Sequence, residues 1–303
     1  MSAPKSIVCV GHTAFDRVFM LERVVAPPAK VPASQYFEMG GGMAANAAVA
    51  IARLGARAEF WGPAGADATA DAMAADFARH GVDATRMHRV AGCTSSHSVI
   101  LVDATGERLI VSMRGDVLRD AGEWLPLVEV AAADALLADV RWPPGAIKAL
   151  RAARAAGVPT ILDADTATPE VQRALVPLVD YPVFSESGFA AFHPGDTREG
   201  LARALALGAR AAVVTRGEHG CEWLSAHEPD HLRHLPAFAA LAVDTTGAGD
   251  SFHGAFALKI AEGATIDDAC TFAAAAAALK VAQRGSRSMP SRAQVEARLR
   301  RAA

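Results

Sequence analysis

Short apolar runs rich in Val and Ile alternate along the chain with longer Ala/Leu/Arg stretches of helical period. The runs at 6–11 (SIVCVG), 57–61, 159–162 (PTIL), 182–184 and 211–214 (AAVV) read as buried strands. Apolar positions recur at three- and four-residue spacing over 43–54, 67–80, 145–156, 169–178 and 197–208, and again over 249–262, 267–283 and 291–301, which predicts helices there. RALALGARAAVVTRG shows the joint between the two kinds of element: a helix, a glycine just past its end, then a strand. Repeated strand–helix–strand units with short connections predict a mainly parallel sheet covered by helices on both faces, an α/β fold.

Two segments break this rhythm. Residues 12–38 and 93–113 alternate polar and apolar positions, as in SHSVILVD and ERLIVSM, with a turn predicted at Thr105-Gly106. Neither is followed by its own helix, so they predict a small antiparallel sheet laid over one edge of the core, a natural lid. An exposed sheet edge invites pairing or must be covered. A homodimer joined through the lids is therefore expected. With no internal repeat and no low-complexity linker, residues 1–303 read as a single domain, with the lid formed by about 12–38 and 93–113.

Composition narrows the class. The chain has 303 residues, 51% of them hydrophobic and 21% charged, which suits a large packed core and argues against disorder. The formal net charge of -3 and the scattered basic residues give no stripe for nucleic acid. Arg292, Arg298, Arg300 and Arg301 read as a solvated helix face. MSAPKS leads straight into a strand without the apolar stretch of a signal peptide, and no 18-residue apolar window spans a membrane. Cys9, Cys93, Cys221 and Cys270 form no C-x-x-C pair, as expected of reduced thiols in a cytoplasmic protein. His227, His231 and His234 have a spacing that zinc accepts, but their acidic, proline-containing surroundings read as an exposed turn before a strand. No metal ligands are assigned.

The chemistry lies in the glycine motifs. No G-x-x-x-x-G-K-[ST] occurs, and VGHTAFD stands where a G-x-G-x-x-G would follow the first strand. DTTGAGD, at 244–250, follows a strand-like LAV and opens an apolar helix. Gly247 and Gly249 can take backbone angles closed to other residues. Free N–H groups at a helix start make an anion nest, which suits a phosphate gathering charge. Asp250 would repel that phosphate unless it takes the proton of the attacking hydroxyl. The plain alternative is an acid favoured by the helix dipole beside an ordinary turn, and the heptapeptide alone does not choose. In EMGGGMAANAAVAIARLGA, Gly41 and Gly42 let backbone approach a ligand, while Asn46 on the first helical turn offers a donor and an acceptor for a polyol. Close packing of a small-residue helix explains the same glycines. Asp16 follows the first strand, at the end where α/β sheets bind ligands.

In these motifs, taken with FWGPAGAD, VDATGERLIV and AVVTRGEHGC, the chain resembles the ribokinase-like (PfkB-type) carbohydrate kinases nearly end to end. The resemblance implies a three-layer α/β/α sandwich with a β-lid. It also implies transfer of the γ-phosphoryl of ATP, with Mg2+, to a sugar hydroxyl. Carried over by motif, it makes Asp250 the general base and Gly247, Ala248 and Gly249 the anion hole. Asp16, Gly41, Gly42 and Asn46 would hold the sugar, and Thr215, Gly217 and Gly220 would lie beside the nucleotide. Some relatives also bind a monovalent cation near the anion-hole loop. One departure stands out: where many relatives carry Asn-x-x-Glu, this chain has FSESG, with Ser185 and Gly188 in those places and Glu186 as the nearby acid.

LADVRW, ILDAD, FSESG, GCEWL and DTTGAGDSFHGA most resemble the ketohexose kinases, among them those of 6-deoxy-6-sulfofructose. A fructose-like substrate with a fixed negative charge needs cations at its far end. Lys30 and Arg141 are the candidates, with Arg114 a further one. Lys30 as a solvated lid residue and Arg141 as the partner of Asp139 or Asp163 are the plain readings. Ribose, another sugar, a nucleoside clamped by Tyr36 and Phe37, and a non-catalytic sugar sensor are the alternatives.

Overall fold

The computed structural model describes residues 3–23, 30–104 and 108–302; the turn predicted at Thr105-Gly106 lies outside them. The strands are β1 (Ser6–Val10), β2 (Ala14–Met20), β3 (Gln35–Gly41), β4 (Arg57–Gly65), β5 (Met87–Val90), β6 (His97–Val102), β7 (Arg108–Met113), β8 (Ala135–Asp139), β9 (Thr160–Ala164), β10 (Tyr181–Ser185), β11 (Ala211–Thr215), β12 (Cys221–Ser225) and β13 (Glu228–Leu235). The helices are α1 (Met43–Arg53), α2 (Ala68–Arg79), α3 (Pro143–Ala155), α4 (Pro169–Leu175), α5 (Glu186–Phe192), α6 (Thr197–Ala206), α7 (Ala248–Ala261), α8 (Ile266–Val281) and α9 (Arg292–Ala302).

Among the described residues the strands form a nine-stranded sheet, ordered β13-β12-β11-β10-β9-β8-β1-β4-β5, and a separate four-stranded sheet, β3-β2-β6-β7. From β5 to β11 all neighbours run parallel, and the last two strands fold back antiparallel. The apolar runs of the central strands follow from burial on both faces. Ile7 and Cys9 of β1 join one core with α1, α2, α7 and α8, while Val8 and Val10 join the other with α3, α5 and α6. The three layers are those that the sequence implies.

α7 is buried nearly all round, so it sits within its layer rather than on it. Small residues permit this. A Cβ added to Gly254 would meet Ala47 O at 2.7 Å and Ala50 Cβ at 3.0 Å, so α1 and α7 lie almost backbone to backbone. That contact fixes the first turns of both helices relative to each other.

Three expectations are corrected. The four-stranded sheet is mixed, because β2 pairs with β6 in parallel while its outer pairs are antiparallel. Its edge strand β3 extends to Gly41 and leads directly into α1, beyond the expected lid boundary at 38. His231 and His234 lie within strand β13, not in a turn ahead of one. β13 closes the sheet with nearly every residue exposed, so it has no apolar face for a sequence pattern to show.

Candidate active site

The carboxyl ends of β1, β8, β9 and β10 converge, and loops from both sheets meet there. Asp139, fully buried at the end of β8, is the joint. Its carboxylate accepts from the backbone N–H groups of His12 (2.8 Å), Ala44 (3.0 Å) and Arg141 (2.8 Å). It thus ties the loop after β1 to the glycine loop before α1. Gly42 caps α1 with φ +94, and a Cβ there would meet His12 O at 2.5 Å. A Cβ on Gly41 would meet Asp16 Oδ2 at 2.6 Å. The loop therefore presses on Asp16 as only glycine can. Ser98, from β6 of the small sheet, donates to Asp16 Oδ1. Burial raises the Asp16 carboxyl, and the Ser98 hydroxyl works against that rise.

Asn46 is buried on the first turn of α1 and donates from Nδ2 to Asp250 Oδ2 at 2.6 Å. Its Oδ1 has no hydrogen-bond partner among the described residues. Asp250 lies on the first turn of α7. Burial pushes its carboxyl up to about 7, the Asp163 carboxylate adds to the rise, and Asn46 opposes it. Such a group exchanges protons near neutral pH, as a general base requires.

Gly247 caps α7 in the left-handed region, φ +79, with Ser286 O at 2.8 Å from where a Cβ would stand. Gly249 differs from expectation. Its φ is not positive, and a Cβ there would meet only His253 Cε1, at 3.9 Å. Neither backbone angle nor packing demands glycine at 249; the missing side chain keeps open the space over the turn. The N–H of Ala248 donates to Thr245 O at 3.1 Å, and no such bond engages the N–H groups of Gly247 and Gly249 among the described residues. The first turn of a helix offers such donors to an anion. Asp244 braces the loop by accepting from the N–H groups of Thr246 and Gly285, each at 2.9 Å.

Several contributors escaped the sequence. His253, one turn beyond Gly249, has Nε2 3.2 Å from Val183 O and Nδ1 3.3 Å from Asp163 Oδ2. Burial lowers His253 and raises Asp163 well above the usual carboxylate range, helped by Asp165 and Asp139. Burial thus works against the charged form of both members of this pair, which sits behind Asp250. Arg287 is buried under the glycine loop, donating to Ala45 O and Gly41 O and pairing with Asp76 Oδ2 at 3.2 Å. Its charge faces Asp76, Asp250 and Asp16. None of His253, Asp163 and Arg287 has a local pattern, because each partner is distant in the chain.

The Arg141 guanidinium lies 3.2 Å from Met43 Sδ and 3.5 Å from Asp165 Oδ2. Its carboxylate partner is Asp165, while its own N–H serves Asp139. Beside it, burial lowers His12 to about 4, with Arg141 and Arg114 adding to the fall, so the imidazole is neutral at neutral pH. His12 Nε2 is buried without a hydrogen-bond partner among the described residues. Lys30 is exposed, and no contact ties it to these groups among the described residues.

On the other side of the anion loop lies a cavity of about 560 Å3 lined by Thr215, Gly217, Gly220, Ala248, Gly249 and Phe252. Thr215 at the end of β11 donates to Phe184 O at 3.2 Å. Gly220, φ +88, lets the β11–β12 turn pass Leu235 O, which a Cβ would meet at 1.9 Å. A smaller cavity of about 470 Å3 opens beside it at Ser185, Glu186, Ser187 and Arg216. Glu186 is largely exposed at the start of α5 and pairs with Arg216 Nη1 at 3.0 Å. Ser185 caps α5 by accepting from the Gly188 N–H at 3.0 Å, and a Cβ on Gly188 would meet Ala164 O at 1.9 Å. A Glu at 188 has no room here, so the departure from Asn-x-x-Glu is built into the packing.

The expected ions fit unequally. Among the described residues no three His, Cys, Asp or Glu side chains gather as a metal site. Magnesium prefers phosphate and water oxygens to an all-protein cage, and the mouth near Glu186 has room for such a complex. A monovalent cation at the anion-hole loop does not fit. The carbonyls of Asp244 and Gln283 there already receive the buried ammonium of Lys280, at 3.3 and 3.4 Å.

Residues 4–293 match the model of the pfkB family carbohydrate kinases. The ribokinase of Bacillus subtilis is 30% identical over 296 residues, covering 96% of this chain and 98% of its own. A solved structure from Agrobacterium tumefaciens shares 35% identity with a TM-score of 0.92, covering 99% of this chain and 98% of its own. Arabidopsis thaliana ribokinase, solved with ribose and ATP, shares 27% identity with a TM-score of 0.84, covering 98% and 99%.

Proposed function

The chain belongs to the pfkB family of carbohydrate kinases, and from that premise we propose that it phosphorylates a fructose-like sugar bearing an anionic group, such as a 6-sulfonate, at its far end. The kinase reading rests on one arrangement above all: a buried carboxyl poised at about 7, touching Asn46, one residue beyond an open glycine at a helix start. In the reaction a sugar hydroxyl oxygen bonds to the γ-phosphorus of ATP, the bond from that phosphorus to the β,γ-bridging oxygen breaks, and the hydroxyl proton passes to Asp250. The N–H groups of Gly247 and Gly249, with the α7 dipole, stabilise the charge on the transferring group, while the Ala248 N–H holds the turn through Thr245 O. Asp16 and Asn46 Oδ1 hold sugar hydroxyls against the backbone of Gly41 and Gly42. Thr215, Gly217 and Gly220 border the nucleotide, and Mg2+, when bound with ATP, neutralises phosphate charge near Glu186. Closure of the four-stranded sheet excludes water as a rival acceptor.

The anionic end is placed by Arg141, Arg114 and the unpartnered Nε2 of His12, with Lys30 closing from the lid side. The guanidinium of Arg141 has one carboxylate at 3.5 Å and further donors to offer. A second reading, a neutral ribose, is favoured by relatives named ribokinase. Turnover on fructose, 6-deoxy-6-sulfofructose and ribose, in wild type and Arg141→Leu, separates them. The anionic reading predicts preference for the sulfonated sugar and a loss of about 10- to 1000-fold in kcat/KM for it alone on substitution, the magnitude of a charge-assisted contact. Faster turnover of ribose than of either ketohexose, unaffected by the substitution, overturns it.

The lid also carries the proposed homodimer contact. Leu109, Ile110, Val111 and Met113 of β7 are exposed at one edge of the small sheet, as are Tyr36 and Phe37 of β3 at the other. Light scattering at micromolar concentration tests this, and a monomer contradicts it. No helix among the described residues is long and apolar enough to cross a membrane, and we place the enzyme in the cytoplasm, where ATP is supplied.

A further inference from the structure

Lys280, on the last turn of α8, is fully buried. Its Nζ donates to Asp244 O at 3.3 Å and Gln283 O at 3.4 Å, joining the loop before the anion nest to the turn after α8. Three further hydrogen bonds and one close packing contact join the same two segments. The N–H groups of Val243 and Asp244 donate to Val281 O at 2.7 and 3.0 Å, the Gly285 N–H donates to Asp244 Oδ2 at 2.9 Å, and Ser286 O backs Gly247. The ammonium thus sits inside the structure that shapes the Gly247 turn, at carbonyl oxygens rather than at a surface. A buried charge is retained only where polar groups repay its lost hydration. Carbonyl oxygens around an ammonium are also the donor set that a potassium ion takes, and the two ions have the same charge and nearly the same radius.

We propose that Lys280 is a built-in monovalent cation: its ammonium holds the 244–247 loop in the phosphate-binding shape and makes dissolved potassium unnecessary. Lys280 is a positioning residue, acting through the backbone of Gly247 and Gly249. This rests on the kinase reading for its consequence in turnover, but the cation site itself is readable without any substrate.

The test compares wild type with Lys280→Met in tetramethylammonium chloride, with and without added KCl or NH4Cl. For wild type, turnover and Tm are expected to be indifferent to potassium beyond the general effect of salt. For Lys280→Met without potassium, kcat is expected to fall about 10- to 100-fold, as for a misplaced binding loop, with little change in KM for the sugar. Potassium or ammonium should restore turnover, and should raise the Tm of the ligand-free variant more than they raise that of wild type. Should Lys280→Met fail to fold, Lys280→Gln, which keeps a donor without the charge, is tested the same way. Wild-type turnover that depends on potassium overturns the proposal. So does a folded variant that is fully active without added cation, or one that neither ion activates or stabilises. If wild type phosphorylates no sugar, the function reading fails, and the ligand-free Tm comparison decides the lysine proposal alone.

Discussion

Asn46 Nδ2 and Asp250 Oδ2 stand 2.6 Å apart, 204 residues apart in sequence. The contact exists because Ala47, Ala50 and Gly254 let α1 and α7 approach without intervening side chains. It joins the group suited to the sugar to the group suited to the proton. Asn46 is the largest influence holding the Asp250 carboxyl down against burial. The base form of Asp250 is the active one, so kcat/KM should rise with pH through about 7 and then level off. Asn46→Ala should move that midpoint upward and weaken sugar binding. An unmoved midpoint would separate Asn46 from Asp250.

The same carboxyl should cost stability. Its folded value of about 7 lies above its ordinary 3.8, so the folded state binds the proton more tightly than the unfolded one does. Stability from this group is therefore full below about pH 4 and declines as pH rises through about 7. Asp250→Asn should unfold at higher denaturant than wild type at pH 8, by at most about 4 kcal/mol. The gain should shrink as pH falls toward 4. Equal stability at pH 8 would contradict the burial of a charged Asp250.

Gly247 and Gly249 should answer substitution differently. Gly247→Ala forces a left-handed residue and a 2.8 Å contact with Ser286 O, which should cost about 1–2 kcal/mol or more of stability. Gly249→Ala meets no close protein atom and, in a helix, should leave stability unchanged or raise it by about 0.5–1 kcal/mol. Its turnover should nevertheless fall, because the methyl group stands where phosphate is to sit. Thermal unfolding alongside turnover distinguishes the two. Full activity in Gly249→Ala would place the phosphate elsewhere.

Gly188→Glu, which restores the acid many relatives carry, should harm rather than help. Its Cβ would lie 1.9 Å from Ala164 O, an overpacking expected to cost about 1–3 kcal/mol or more. A variant as stable as wild type, measured by urea unfolding, would show that this backbone yields easily.

The sequence shows what repeats or what breaks a rule locally. The doubly buried strands stand out because Ile7 to Val10 must be apolar on both faces. The two glycine loops stand out because Gly42 and Gly247 take angles that a side chain disfavours. Asp16, Asn46 and Asp250 come with those motifs, and the structure draws them together. What the sequence hides is set by distant partners. His253 and Asp163, Arg287 beneath Gly41, and Lys280 behind Asp244 each look like ordinary helix or strand residues. α5 and β5 are too short for periodicity, and β13 exposes both faces. Lys30 is exposed, so its proposed partnership with Arg141 depends on lid closure, whereas Arg141 already lies among the polar groups of the site.

The most direct test is ADP release from ATP and Mg2+ with a panel of sugars, comparing wild type with Asp250→Asn and measuring binding of an ATP analogue to both by calorimetry. Wild type should form ADP only when an acceptor sugar is present. Asp250→Asn should be about 100- to 10,000-fold slower, the worth of a positioned base, with nucleotide affinity unchanged. Turnover retained in Asp250→Asn, or ADP formed at the same rate without sugar, would contradict the assignment of Asp250 as the base of a sugar kinase.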